Sequence, residues 1–462
     1  MSGSHPLERL FRPSSVAIIG ASNYTQKGGG FLLEGLIANS FKGSLYPVNP
    51  RQSEILGLRS YPTVMDIPGE VDLAIIAVSA RLVPRVLSEC GQKGIKFAVI
   101  HSAGFAELGS QGAALEKETV DIARHCGIRF VGPNCMGLCC TGVRLNTIRP
   151  SIKLPRGTGS VAFLGQSGWV CQNFIGMGNE RGLRFSKVVS VGNQADLSIE
   201  DLLEYMGADA QTGVIGCYVE GIKEAKKFVQ LVRQISPTKP VIVWKAGRTE
   251  AGVRAVSSHT ASLAGNSTIF DVALRQSGAV IAHNLEDLVD LAIGFTCPVL
   301  PDGNRLGVVV EAGGGGVAAA DTHQALGLEM PVLSEAAQKE LADTLKGSVV
   351  ALPNLRNPVD IVWPLNWATG WATLECLRIV LKEVDAALAI DYAPLNERLA
   401  GRIAALRDEI GKPIIMIPGD PIEQKQGMSR LVRKGVPSYA VPERALKVLA
   451  AMVRYANYCR RG

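Results

Sequence analysis

No stretch of this sequence reaches the roughly 18 consecutive apolar residues that a membrane-spanning helix needs, and Met1–Arg12 lacks the apolar core of a secretory signal. No block of Lys or Arg is present either: the net charge of +6 is spread along 462 residues, which argues against a nucleic-acid-binding tail and leaves room for local pockets for anionic metabolites. The ten cysteines do not form the framework of a small secreted domain, so a reducing, cytoplasmic setting is expected. Their one cluster, Cys135, Cys139 and Cys140, has no His or second Cys pair nearby in sequence. It reads as small buried thiols rather than a metal site. What the chain does have is 47% apolar residues, 50 glycines and only 19% charge, the profile of a compact α/β protein. At about 150 residues per domain, its length predicts about three.

The first third alternates short Val- and Ile-rich runs with helical stretches, the pattern of buried parallel strands in βαβ units. In open sheets of this kind ligands sit at the carboxyl ends of the strands. Those ends are Gly20-Ala21-Ser22, Asn49-Pro50-Arg51, Ser79, Ser102-Ala103-Gly104 and Gly132-Pro-Asn134. Strand-to-glycine loop at Val16-Ala-Ile-Ile-Gly20 suits a pyrophosphate on helix N–H groups, but its spacing departs from G-x-G-x-x-G. An NAD site also wants an acid after the second strand. Here Asn49 and Arg51 stand there, which favours a phosphorylated ribose, as in coenzyme A or NADP; a simple Asn-Pro turn is the alternative.

After the Pro/Gly-rich connector Lys153–Gly159 the strand pattern restarts, so a second doubly wound domain is expected. Its first loop, Gln166-Ser167-Gly168, either cradles an anion or simply turns the chain into a helix. Glu220 ends a strand at Tyr218-Val-Glu220-Gly221. A carboxylate there either orients an imidazole, fixing its tautomer, or solvates the loop. The imidazole is His259, expected on an accessible loop between strand and helix, with Lys245, Arg248 and Arg254 preceding it. It either accepts a phosphoryl group or caps its loop.

Taken in order, Ser15-Val-Ala-Ile-Ile-Gly-Ala-Ser22, Tyr46-Pro-Val-Asn-Pro50, Ser102-Ala-Gly-Phe105, Gly132-Pro-Asn-Cys135, Gln166-Ser-Gly168, Val219-Glu-Gly221 and Ser258-His259-Thr260 resemble the ADP-forming acyl-CoA synthetases. More distantly they resemble the α subunit of succinyl-CoA synthetase. The resemblance covers essentially the whole chain. It implies a Rossmann-like CoA-binding domain over residues 1–150, a succinyl-CoA synthetase-like domain carrying the phosphohistidine loop over 151–297, and a second such (ligase-CoA) domain over 298–462, the last two flavodoxin-like. It implies that His259 is phosphorylated and that Glu220 orients it. It places coenzyme A at Gly20, Ala21, Ser22, Asn49, Ser102, Ala103 and Gly104, and phosphate at Gln166, Ser167 and Gly168; Lys27, Arg51, Ser79 and Asn134, at or near the same strand ends, are expected to join the coenzyme A site. Ala261 stands where the family's histidine loop often has Gly.

The last third begins at a polar turn, Pro301–Arg305, and carries the glycine run Gly313–Gly316, read as tight packing or an anion loop. Trp363 and Trp367, beside Asn357-Pro-Val-Asp360, read as core residues, with an acyl pocket as the alternative. No segment is left for an ATP-grasp region. The resemblance then implies an α subunit that reaches ATP or ADP with Mg2+ through a separate ATP-grasp β subunit, in an α2β2 hetero-oligomer acting on a small carboxylic acid or its acyl-CoA. Nucleic acid, membrane and a metal held by this chain are not expected. Two other readings remain at this point: a CoA-binding regulatory protein without turnover, and an NADP-dependent dehydrogenase.

Overall fold

The computed structural model describes residues 5–148, 154–155, 157–260 and 267–461, and the chain divides into two compact units, Met1–Gly176 with Arg184–Leu285 and Met177–Leu183 with Glu286–Gly462. No helix among the described residues is long and apolar enough to cross a membrane.

The first unit holds two large sheets and the small antiparallel pair Glu54–Ile55 with Leu58–Arg59. In the first, five parallel strands lie in the order Ser44–Val48, Ser15–Ile19, Leu73–Ile76, Phe97–Ile100, Arg129–Val131. Every residue of Ser15–Ile19 is buried, which is why the run is continuously apolar rather than alternating. Val16, Ile18, Leu73 and Ile75 face one core, and Ala17, Ile19, Ala74 and Ile76 face a second on the other side of the sheet. The order reverses direction at Ser15–Ile19, so a crevice opens at its carboxyl end.

The second sheet has seven strands: Val280–Ala282, Val241–Lys245, Val214–Val219, Val161–Gly165 and Phe185–Ser190 run parallel, and the hairpin Gly137–Cys140 with Leu145–Asn146 is added antiparallel. That hairpin precedes residue 150 in the chain yet extends the second sheet. Leu138 and Cys140 share one core with Val16 and Leu164, so the two sheets close on common apolar side chains. Cys135 and Cys140 belong to that core, Cys139 is buried too, and burial pushes the Cys135 thiol up to about 12 and the other two upward as well.

The second unit is built on a five-stranded sheet in the order Val349–Asn354, Val359–Pro364, Leu306–Val310, Ala386–Asp391, Ile414–Pro418, antiparallel only at the first pair. The glycine run there opens the helix Gly313–His323. A Cβ on Gly315 would stand 2.3 Å from Ile390 Cδ1, so its hydrogen lets the helix lie close on the neighbouring strand. Trp367 corrects the expectation of two core tryptophans: it sits in the turn Trp367–Thr369 with 45% of its surface exposed. The Trp363 side chain lies outside the description.

Candidate functional site

At the crevice of the first sheet, Gly20 takes φ +91, and a Cβ there would lie 2.5 Å from the carbonyl oxygen of Ala77. The helix Gly28–Ala38 starts directly over this tip, and a Cβ on Gly29 would lie 2.3 Å from Gly20 O. These two glycines let strand tip and helix N-terminus meet backbone to backbone. Asn49 ties the second tip to the first: its Nδ2 donates to Ala21 O at 2.7 Å and its Oδ1 accepts from Arg51 N at 2.8 Å. The Asn49 amide is thus committed within the protein, while the exposed Lys27 and Arg51 side chains form no ion pair or hydrogen bond among the described residues. Two open cations beside a helix N-terminus fit a polyphosphate group such as that of coenzyme A. Ser22 is partly exposed and Ser79 exposed on the same edge.

The tip Ser102-Ala103-Gly104 differs from what the sequence suggests. Ser102 Oγ donates to Val78 O at 2.5 Å, and Ala103 is exposed. Glu107 Oε1 accepts from the N–H groups of Gly104 at 2.6 Å and Phe105 at 3.1 Å, closing backbone donors that an anion would otherwise use. Asn193, at a tip of the second sheet, donates from Nδ2 to Glu107 Oε2 at 2.7 Å and Glu116 Oε2 at 2.8 Å, and its Oδ1 accepts from Asn134 Nδ2 at 3.3 Å. Burial works against the Glu107 charge, yet the bonds from Gly104, Asn193 and Phe105 outweigh it and hold the carboxyl below the usual range. Asn134 itself has φ +56 after a cis Gly132–Pro133 bond. Asn193 is visible in the sequence as a polar strand end, but Glu107 and Glu116 are not, because their meeting with it depends on segments about 80 residues apart.

Around Glu220 three adjacent strand tips converge. Gln166 is buried, its Oε1 accepts from Glu220 N and, at 2.9 Å, from Gly221 N, and its Nε2 donates to Gly221 O at 2.5 Å. Its amide is spent on the Glu220 tip, leaving Ser167 and Gly168 at the N-terminus of Gly168–Glu180 as the groups open to an anion; the Ser167 hydroxyl accepts from Val170 N at 3.5 Å. Glu220 is 4% exposed. Its Oε1 accepts from Tyr218 Oη at 3.1 Å, and its carbonyl accepts from Lys245 Nζ at 2.8 Å. Burial lowers the Lys245 ammonium, which is committed to Glu220 O and Ala246 O rather than open to a ligand. Arg248 is likewise taken, by Asp271 at 3.0 Å.

His259 corrects the expected loop: its backbone belongs to the helix Glu250–Thr260. Thr249 starts that helix, with Oγ1 accepting from Gly252 N at 3.1 Å. The helix packs against the turn Ala106–Leu108, so the histidine-bearing element and the Glu107 tip are neighbours in one unit. The His259 side chain and residue Ala261 lie outside the described residues.

In the second unit, Glu311 directly follows the strand Leu306–Val310, and Asp391 ends the parallel strand beside it. Glu311 Oε2 accepts from Tyr392 N at 2.9 Å and Asp391 Oδ1 from Ala393 N at 2.6 Å. Burial, then the neighbouring Asp391, pushes the Glu311 carboxyl up to about 8, and burial raises Asp391 as well. A cavity of about 880 Å³ nearby is lined by Trp367, Tyr392, Leu395, Ile422 and Arg430; of the residues weighed from sequence it holds Trp367 alone, and none of those expected to bind coenzyme A or phosphate.

Comparison with known proteins agrees with this layout. A CoA-binding domain model matches residues 14–141 and a model of the succinyl-CoA ligase-like flavodoxin domain matches 158–295. The α subunit of the ADP-forming acetate–CoA ligase II of Pyrococcus furiosus is 37% identical over 460 residues, 98% of each chain. The ADP-forming acetate–CoA ligase I of Archaeoglobus fulgidus is 36% identical over 98% of this chain, which spans 64% of that protein. Among solved structures, the dinucleotide-forming acetyl-coenzyme A synthetase 1 of Candidatus Korarchaeum cryptofilum, in complex with phosphate and ADP, superposes with a TM-score of 0.85 at 35% identity, covering 98% of this chain and 97% of that one. Three doubly wound sheets, the CoA-type crevice and these full-length matches establish that the chain belongs to the ADP-forming acyl-CoA synthetases, acid–CoA ligases that form a carbon–sulfur bond, and corresponds to their α subunits.

Proposed function

We propose that this chain interconverts an acyl-CoA, phosphate and ADP with a free acid, CoA and ATP, with His259 as the phosphoryl carrier and Glu220 as the carboxylate that orients it. The observation that carries this reading is the fixed carboxylate at the meeting of three strand tips, in the same compact unit as the helix bearing His259 and the cationic crevice of the first sheet. Lys27 and Arg51 hold the phosphates of CoA; Asn49 keeps their loops together. Ser167 and Gly168 face the incoming phosphate at a helix N-terminus.

In the first step a phosphate oxygen attacks the thioester carbonyl, the carbon–sulfur bond breaks, and the CoA thiolate leaves and takes up a proton. The acyl phosphate then gives its phosphoryl group to a ring nitrogen of His259, and the free carboxylate departs as the phosphorus–oxygen bond breaks. Glu220 favours this transfer by holding the ring's other N–H and the positive charge that develops on the imidazole. Dividing the transfer in two lets each half use a different binding partner. ADP, with Mg2+, accepts the phosphoryl group on an ATP-grasp β subunit, in an α2β2 assembly in the cytoplasm.

The test is labelling with acetyl-CoA and [32P]phosphate in the presence of the partner subunit. Acid-labile label is expected on wild type and absent from His259→Ala. Equal labelling of the variant, or none on wild type across a panel of acyl-CoAs, overturns the proposal.

A further inference from the structure

The Glu220 carboxylate is held by a side chain that neither the motif reading nor the family match singles out. Tyr218 is the penultimate residue of the strand Val214–Val219 and Glu220 directly follows its end, two positions on, where its side chain turns to the same side as Tyr218. Tyr218 Oη reaches Glu220 Oε1 at 3.1 Å. The phenol is itself fixed from the next strand: register pairs Tyr218 with Trp244, and the two rings meet edge to face, centroids 4.7 Å apart at 65°. The backbone of Glu220 is pinned independently, by Gln166 on one side and Lys245 on the other. With the backbone held, the carboxylate can still turn about its own side-chain bonds, and the Tyr218 hydroxyl is a donor placed on Oε1 to restrict that turn.

We infer that Tyr218 is a positioning residue for phosphoryl transfer: its hydroxyl orients the Glu220 carboxylate and, through it, the ring of His259. This rests on the proposed roles of Glu220 and His259. Burial and the adjacent Glu220 carboxylate both raise the Tyr218 phenol, so it remains a proton donor across the physiological range.

The experiment compares wild type, Tyr218→Phe, Glu220→Gln and the double variant, each as full chain with its partner subunit, using acetyl-CoA and [32P]phosphate. Tyr218→Phe keeps the ring on Trp244 and removes only the hydroxyl. Losing one hydrogen bond to a charged group is expected to slow His259 phosphorylation about tenfold with the KM for acetyl-CoA unchanged. In [15N]histidine-labelled protein the ring-nitrogen resonances of His259, assigned by their loss in His259→Ala, should shift toward a mixed tautomer. In the Glu220→Gln background the same Tyr218→Phe change should cost much less, because the oriented group has already lost its charge. An unchanged rate and unchanged resonances in Tyr218→Phe, or an effect of equal size in the Glu220→Gln background, overturns the inference. Failure of the underlying reading looks different: His259→Ala still takes label, or Glu220→Gln transfers at the wild-type rate.

Discussion

A half-buried acid set beside a buried one cannot ionise with it at low cost, and Glu311 shows the consequence for one residue. Its carboxyl is pushed up to about 8, by burial first and Asp391 second. A folded-state value above the unfolded one means that the folded chain holds a proton the unfolded chain has released. The associated stability is full below about pH 4.5, the ordinary glutamic acid value, and is lost as pH rises toward about 8. Glu311→Gln keeps a neutral donor and removes that titration. Its urea midpoint relative to wild type is therefore expected to climb across this window and level off above it; a constant offset at all pH values would show that the pair does not hold the proton. Nothing in the sequence marked Glu311, because an acid before a glycine run looks solvated until the fold sets Asp391 beside it.

At the level of elements, the helix Gly28–Ala38 and the tip of Ser15–Ile19 depend on the absence of a single carbon. With 2.3 Å between a Cβ at position 29 and Gly20 O, and 2.7 Å to Ala21 N, neither obstacle is a flexible side chain. Gly29→Ala must push the helix off the tip, at about 1–3 kcal/mol, and widen the crevice. Gly314, which opens onto space with nothing within 4 Å, is the control, and Gly314→Ala should leave stability unchanged or slightly improved. Urea unfolding gives both numbers, and titration with CoA should show weaker binding for Gly29→Ala alone. Equal stability of the two variants would contradict the backbone contact.

The same glycines illustrate which elements a sequence displays. The central strands were legible because strands buried on both faces are continuous apolar runs. Their tips followed from topology. The hairpin Gly137–Cys140 with Leu145–Asn146 was missed, its short Gly- and Cys-rich run resembling a loop, and so was the pair Val349–Asn354 and Val359–Pro364, interrupted by prolines. His259 was expected on a loop between strand and helix, whereas a Thr249 cap and Glu250 in the first turn start a helix there that runs through its backbone. At the candidate site, Gln166 and Asn49 were recognised as important, but sequence cannot distinguish a side chain that meets a ligand from one that holds the neighbouring tip.

For the whole molecule, the decisive feature is where the chemistry is divided. The CoA-type crevice, the Glu107–Asn193 bridge, Glu220 and the backbone of His259 all lie in one compact unit of this chain. Under the proposed reaction, cleavage of the thioester by phosphate needs the crevice and the phosphate loop of this unit and no nucleotide. The chain without its partner should then catalyse exchange of labelled CoA into acetyl-CoA, dependent on added phosphate and indifferent to ADP. His259→Ala should retain this exchange, since the imidazole acts only after the acyl phosphate forms, yet lose all ATP formation when the partner is supplied. Lys27→Ala with Arg51→Ala should do the reverse in kind, raising the CoA concentration needed for exchange about tenfold, as expected from losing two charge-assisted phosphate contacts, with ADP affinity unchanged. Exchange that appears only with the partner present would place part of the thioester site on the other subunit, and exchange lost in His259→Ala would mean that the histidine takes part before the acyl phosphate is made.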